Sequence, residues 1–95
     1  MQHVEQFVAS LQMPSPPEGL NPAATALWYA GKGEWHRAHD LIQDLDNKTG
    51  YHIHAFLHRQ EGDRSNAEYW YRRAGKRMPS TETEDEWQEL VKEYL

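Results

Sequence analysis

Apolar residues recur along this chain at the three- and four-residue spacing of helices that bury one face, and nowhere alternate as in a half-buried strand. Val4, Phe7, Val8 and Leu11 predict a short amphipathic helix over residues 3–12. It must stop at Met13-Pro14-Ser15-Pro16-Pro17, where three prolines force an extended backbone. Asn21-Pro22 then supplies an N-cap and a first helical residue. Ala23, Ala24, Ala26, Leu27, Trp28 and Ala30 are apolar on most faces, which predicts a buried helix closed by Gly31-Lys32-Gly33. Trp35, Ala38, Leu41, Ile42 and Leu45 trace a helix over 35–46, ended by the polar turn from Asp46 to Gly50. Tyr51, Ile53, Ala55, Phe56 and Leu57 place the next helix over 50–61, broken by Gly62-Asp63. Ser65 or Asn66 is expected to cap the following helix, which buries Ala67, Trp70, Tyr71 and Ala74 and ends before Pro79. Thr81, or Thr83 with Glu86, predicts a capping box for a last helix whose stripe is Trp87, Leu90, Val91, Tyr94 and Leu95. The pattern is all-α, with about six helices.

Two segments superimpose at an offset of 29 residues. Ala26 matches Ala55, Leu27 matches Phe56, Gly33-Glu34 matches Gly62-Asp63, and Ala38 matches Ala67. In each copy a buried helix meets a Gly-acid turn and then a second helix. Small residues at the matched alanines permit close helix approach, and the glycine permits the turn.

This arrangement resembles the tetratricopeptide repeat. Ala55, Gly62, Asp63, Ala67, Ala74 and Pro79 fall at the small, turn and terminal positions of that pattern; the first copy keeps Ala26, Tyr29, Gly33, Ala38 and Ile42 but has Leu45 and Gly50 where an alanine and a proline are expected. The string HAFLHRQEGDRSNAEYWYRRAGK is also similar to a group of small uncharacterised bacterial proteins. The resemblance covers roughly residues 20–80, and with the end helices as caps the whole chain is expected to form one tetratricopeptide-like domain over residues 1–95. An N-terminal helix and Pro-rich linker occupy 1–20, two helical hairpins 21–79, and a capping helix 80–95. It implies helix faces that receive a protein or peptide.

Composition adds limits. Four tryptophans and five tyrosines are large packing units for 95 residues and argue against disorder despite a mean hydropathy of −0.98. The absence of cysteine rules out disulfides and thiolate metal ligands. No apolar run approaches membrane-spanning length, and MQHVEQFVAS lacks the basic and apolar regions of a secretory signal, so the expected location is cytoplasmic. Glu82, Glu84, Asp85, Glu86, Glu89 and Glu93 against Lys92 hold the whole net charge of −5. Arg72, Arg73, Lys76 and Arg77 form a basic cluster too small for a nucleic-acid face.

Six histidines carry the candidate chemistry. His54 and His58, four apart, project from one helix face, and His39 on the preceding helix can approach them, with Gln43 or Asp40 nearby. Three imidazoles on adjacent helices suit zinc or another divalent cation and leave an open coordination position. The glutamate that a zinc-protease helix places after its first histidine is absent, since Ala55 stands there, which excludes that chemistry. A purely structural alternative is partly buried histidines satisfied by a tyrosine hydroxyl or a carboxylate. His3 and His52 read as surface residues. Tyr69, Arg72 and Arg73 can receive a carboxylate or phosphate, or pair with Glu68, Glu61, Asp63 or the acidic last helix. Tyr51, His54, His58 and Trp70 are candidate walls of a ligand pocket. No activated serine and no glycine-rich phosphate loop is present.

The leading expectation is a small helical interaction or assembly module for a protein or peptide partner, monomeric or weakly self-associating. It has no nucleic-acid or membrane partner and no cofactor, and catalysis is disfavoured. The alternative is a small metal-binding protein, or a metal-dependent enzyme, that uses His39, His54 and His58.

Overall fold

The innermost helix is the alanine-rich one, and its neighbours are fixed to it through tryptophans. The structure, a computed structural model, describes residues 3–95. Its helices are α1 (Val4–Ala9), α2 (Pro22–Gly31), α3 (Trp35–Ile42), α4 (Lys48–Gln60), α5 (Arg64–Ala74) and α6 (Thr83–Tyr94), with a 3-10 turn over Ser10–Gln12 after α1. No strand occurs among the described residues. Asn21 caps α2 as expected, its side-chain oxygen accepting the Ala24 N–H at 2.8 Å. Ala23, Ala24, Ala26, Leu27, Trp28 and Ala30 are all buried.

The indole N–H groups of this core are each satisfied, as burial demands. Trp28 Nε1 donates to Ser10 Oγ at 3.1 Å, and Ser10 donates to the Phe7 carbonyl at 2.6 Å. Ser10 thus ties the N-terminal segment to α2. Trp87 Nε1 donates to the Leu27 carbonyl at 2.8 Å, tying α6 to α2. Lys32 Nζ donates to the carbonyls of Leu11 and Met13 at 2.8 and 3.1 Å and holds the start of the proline-rich linker. α2 packs along α3 and α4 along α5; α3 also meets α4, and α6 lies against both α2 and α4.

Several helix ends depart from the sequence expectation, each for a local reason. α3 ends at Ile42 rather than 46, leaving Leu41 exposed and Leu45 half-buried in the turn. α4 begins at Lys48, because Asn47 caps it by accepting the Gly50 N–H at 2.9 Å. Gly50 lies against the preceding turn so closely that a Cβ there would sit 1.9 Å from the Leu45 carbonyl oxygen. Asp63, rather than Ser65 or Asn66, is the N-cap of α5, accepting the Asn66 N–H at 3.4 Å. Gly62 before it has φ +90°, a conformation that disfavours any side chain.

The expected capping box on α6 does not form. Glu82 occupies the N-cap without a side-chain bond, and Glu86 turns inward. Its carboxylate accepts from Arg59 Nη1 at 2.8 Å and from the Tyr71 hydroxyl at 2.6 and 2.8 Å, while Arg59 Nη2 donates to the Thr81 carbonyl. A buried ion pair therefore joins α4, α5 and α6. His52, expected at the surface, is half-buried beneath α6, with Nδ1 2.8 Å from the Tyr94 hydroxyl.

Candidate metal centre

His54 and His58 occur one turn apart on α4, so their rings leave the helix on the same side. That side faces α3, which brings His39. The three rings converge: His39 Nε2 and His54 Nε2 lie 3.2 Å apart, and one ring nitrogen from each of His39, His54 and His58 falls within 4.8 Å of the other two. His54 and His58 are each only 7% exposed, and His39 is half-buried.

The aromatic surroundings limit how these rings can turn. Trp35, one turn before His39 on α3, stacks on it with centroids 4.8 Å apart and planes at 13°. Trp35 is itself fixed to α4 by its indole N–H, which donates to the Leu57 carbonyl at 2.7 Å. On the other side Trp70 of α5 stacks on His54 at 4.0 Å and 15°. Tyr51 packs against Trp70 at 5.6 Å, and the Arg73 guanidinium lies 4.4 Å from the Tyr51 ring and 5.0 Å from that of Trp70. The suggested pocket walls Tyr51, His54, His58 and Trp70 are thus brought together as rings packed against one another.

His58 has a further partner. Its Nδ1 lies 2.7 Å from Glu61 Oε2, one turn on along the same helix. The sequence spacing His58-x-x-Glu61 carries this contact, but the expectation had assigned Glu61 to the arginines. A histidine satisfied by a carboxylate was also expected, and His58 is that histidine.

Burial sets the protonation of His54 and His39. It lowers the pKa of His54 to about 4, with the neighbouring His58 and His39 adding to the effect, and it lowers that of His39 as well. His54 is therefore neutral at pH 7, the form in which a ring nitrogen keeps its lone pair for a ligand. In the metal-free protein the sign of the pH dependence follows. Between pH about 6.5 and about 4 the unfolded chain binds a proton at this residue that the folded chain refuses, so stability falls as the pH falls. At 1.36 kcal/mol per unit the loss approaches roughly 3 kcal/mol at the acid end. Urea unfolding at pH 7.5 and 4.5 is expected to show this decline, and His54→Phe to flatten it; an equal decline in the variant would assign it to other groups.

The remaining expected site residues are placed differently. Gln43 is exposed and follows α3, its backbone N–H donating to the His39 carbonyl at 2.9 Å. Asp40 is exposed, and its negative charge favours protonation of His39. Tyr69, Arg72 and Arg73 lie exposed on α5. Their suggested acidic partners are engaged elsewhere: Glu68 with Arg64 at 3.2 Å, Glu61 with His58, and Asp63 as a cap. The acidic last helix instead meets Lys76, 3.9 Å from Glu93. Trp35, read from the sequence as a helix-face residue, joins Trp70 in the histidine cluster. No protein-family model, no curated protein and no solved structure matches this chain.

Proposed function

We propose that this chain is a small helical protein that binds one divalent transition-metal ion of the zinc class through His39, His54 and His58. The observation that carries the reading is the convergence of the three ring nitrogens. Two nitrogens each about 2.0–2.1 Å from one ion at a tetrahedral angle lie about 3.3 Å apart; His39 and His54 already stand at 3.2 Å. Imidazole ligands suit zinc, copper, nickel and iron, and the missing thiolates disfavour soft-metal sites. Three protein ligands leave a position for water or an anion, and zinc in such a setting brings the pKa of its water to about 7.

The ion would also clasp α3 to α4. α3 buries only Ala38 and Ile42, so a bond between His39 and α4 adds to a weak attachment. Binding to the folded state alone stabilises it by about 2.7 kcal/mol at a free metal concentration one hundredfold above Kd. For a chain this size that corresponds to a rise in melting temperature of roughly 10–20 °C. A melt of tag-free protein with and without zinc tests this, and an unchanged midpoint contradicts it.

A second reading, a module for a protein or peptide partner, is favoured by the exposed Tyr69, Arg72 and Arg73 on one helix. Acidic peptides suit guanidinium groups beside an aromatic ring. A partner recovered by the wild type and lost by Arg72→Glu/Arg73→Glu supports it; equal recovery by both sinks it.

A further inference from the structure

The proposed centre uses one nitrogen of each histidine, and the second nitrogen of His58 is bound to a carboxylate. We infer that Glu61 is a positioning residue of the centre, fixing His58 in the tautomer that presents Nε2 to the metal. This inference rests on the metal-binding reading.

A neutral imidazole carries one N–H, and whichever nitrogen holds it cannot bind a metal. Glu61 Oε2 is 2.7 Å from His58 Nδ1, a distance typical of an N–H donating to a carboxylate. The carboxylate can only accept, so the proton resides on Nδ1 and the lone pair on Nε2. His58 stands beside His54 with centroids 4.8 Å apart and beside His39 with centroids 5.3 Å apart, and with Nδ1 held by Glu61 the nitrogen left for the metal is Nε2. The carboxylate also makes the imidazole a better electron donor, and metal-binding histidines commonly use their second nitrogen in this way.

The backbone favours the contact. Glu61 is the C-cap residue of α4, and Gly62 with φ +90° turns the chain immediately afterwards. One turn separates His58 from Glu61, so the two side chains meet without long-range support. Glu61 is partly exposed, so its substitution leaves the core intact.

Asp63 gives the competing arrangement. His58, Glu61 and Asp63 themselves offer ligand atoms within 4.8 Å of one another. In that arrangement Glu61 would bind a metal directly, and its removal would abolish binding rather than weaken it.

The test titrates tag-free wild type, Glu61→Gln and Glu61→Ala with zinc against a competing chelator, and follows His58 by nitrogen-15 NMR. Wild type should bind one equivalent and show the Nδ1–H tautomer. Glu61→Ala should keep the stoichiometry, lose the single tautomer and bind about 10–100-fold more weakly, as removal of such supporting carboxylates does elsewhere. Glu61→Gln, which retains an accepting oxygen, should recover part of both. One equivalent bound with unchanged affinity by Glu61→Ala would overturn the positioning role alone. Loss of the bound equivalent in both Glu61 variants would overturn it by making Glu61 a ligand. No binding by the wild type would overturn the metal-binding reading and this inference together.

Discussion

Replacing Arg59 with methionine is expected to lower the free energy of unfolding by about 3–5 kcal/mol, the range for breaking a buried ion pair on one side. Glu86 is only 5% exposed and its carboxylate is held by Arg59 and Tyr71. Methionine keeps much of the apolar stem of Arg59 but removes the compensating charge. Glu86 would then be left with the Tyr71 hydroxyl as its remaining partner in this network. Arg59 also holds the Thr81 carbonyl in the segment before α6, so that link is lost too. The cost comes chiefly from the orphaned charge, and so Arg59→Met/Glu86→Gln should recover more than half of it. The amide that Glu86→Gln introduces is neutral, and its oxygen would still accept from Tyr71. Urea unfolding of the two variants and the wild type measures this. A loss below about 1 kcal/mol would class the pair with screened surface ion pairs.

His39→Ala is expected to weaken metal binding by at least about 100-fold, since loss of a supporting partner alone already costs 10–100-fold. Of the three proposed ligands it is the most accessible and the only one from α3, so its removal tests the proposed clasp between helices with least damage to the core. The variant should fold without metal and should lose the zinc-dependent rise in melting temperature. His54→Ala should abolish binding as well, but it also leaves the Trp70 ring without its stacking partner, so part of its effect will be on stability. If His39→Ala bound zinc like the wild type, the ion would not join α3 to α4. Isothermal titration of both variants separates these outcomes.

Much of the fold was legible because apolar spacing and chain breakers act locally. The stripe Trp87, Leu90 and Val91 and the cap Asn21-Pro22 needed only the sequence, and both are found as expected. The convergence of His39 with His54 and His58 was also foreseeable, because the helical period places the latter two together and adjacency of α3 and α4 brings the first. What escaped depended on contacts between distant segments. The capping-box pattern at Thr83 and Glu86 gave no sign that Arg59, 27 residues earlier, would draw Glu86 inside. His52 looked superficial because nothing local announces α6 lying over it. The end of α3 at Ile42 reflects the tight turn around Gly50, whose missing side chain is explained only by the Leu45 carbonyl. Glu61 was within reach of sequence reasoning, one helical turn from His58, but the arginines competed for it.

The most direct measurement is the metal content of protein made without an affinity tag and dialysed against trace zinc, set beside His39→Ala handled identically. Close to one equivalent of zinc is expected in the wild type and almost none in the variant. Less than about a tenth of an equivalent in the wild type, far from the saturation a three-imidazole site should reach, would contradict it.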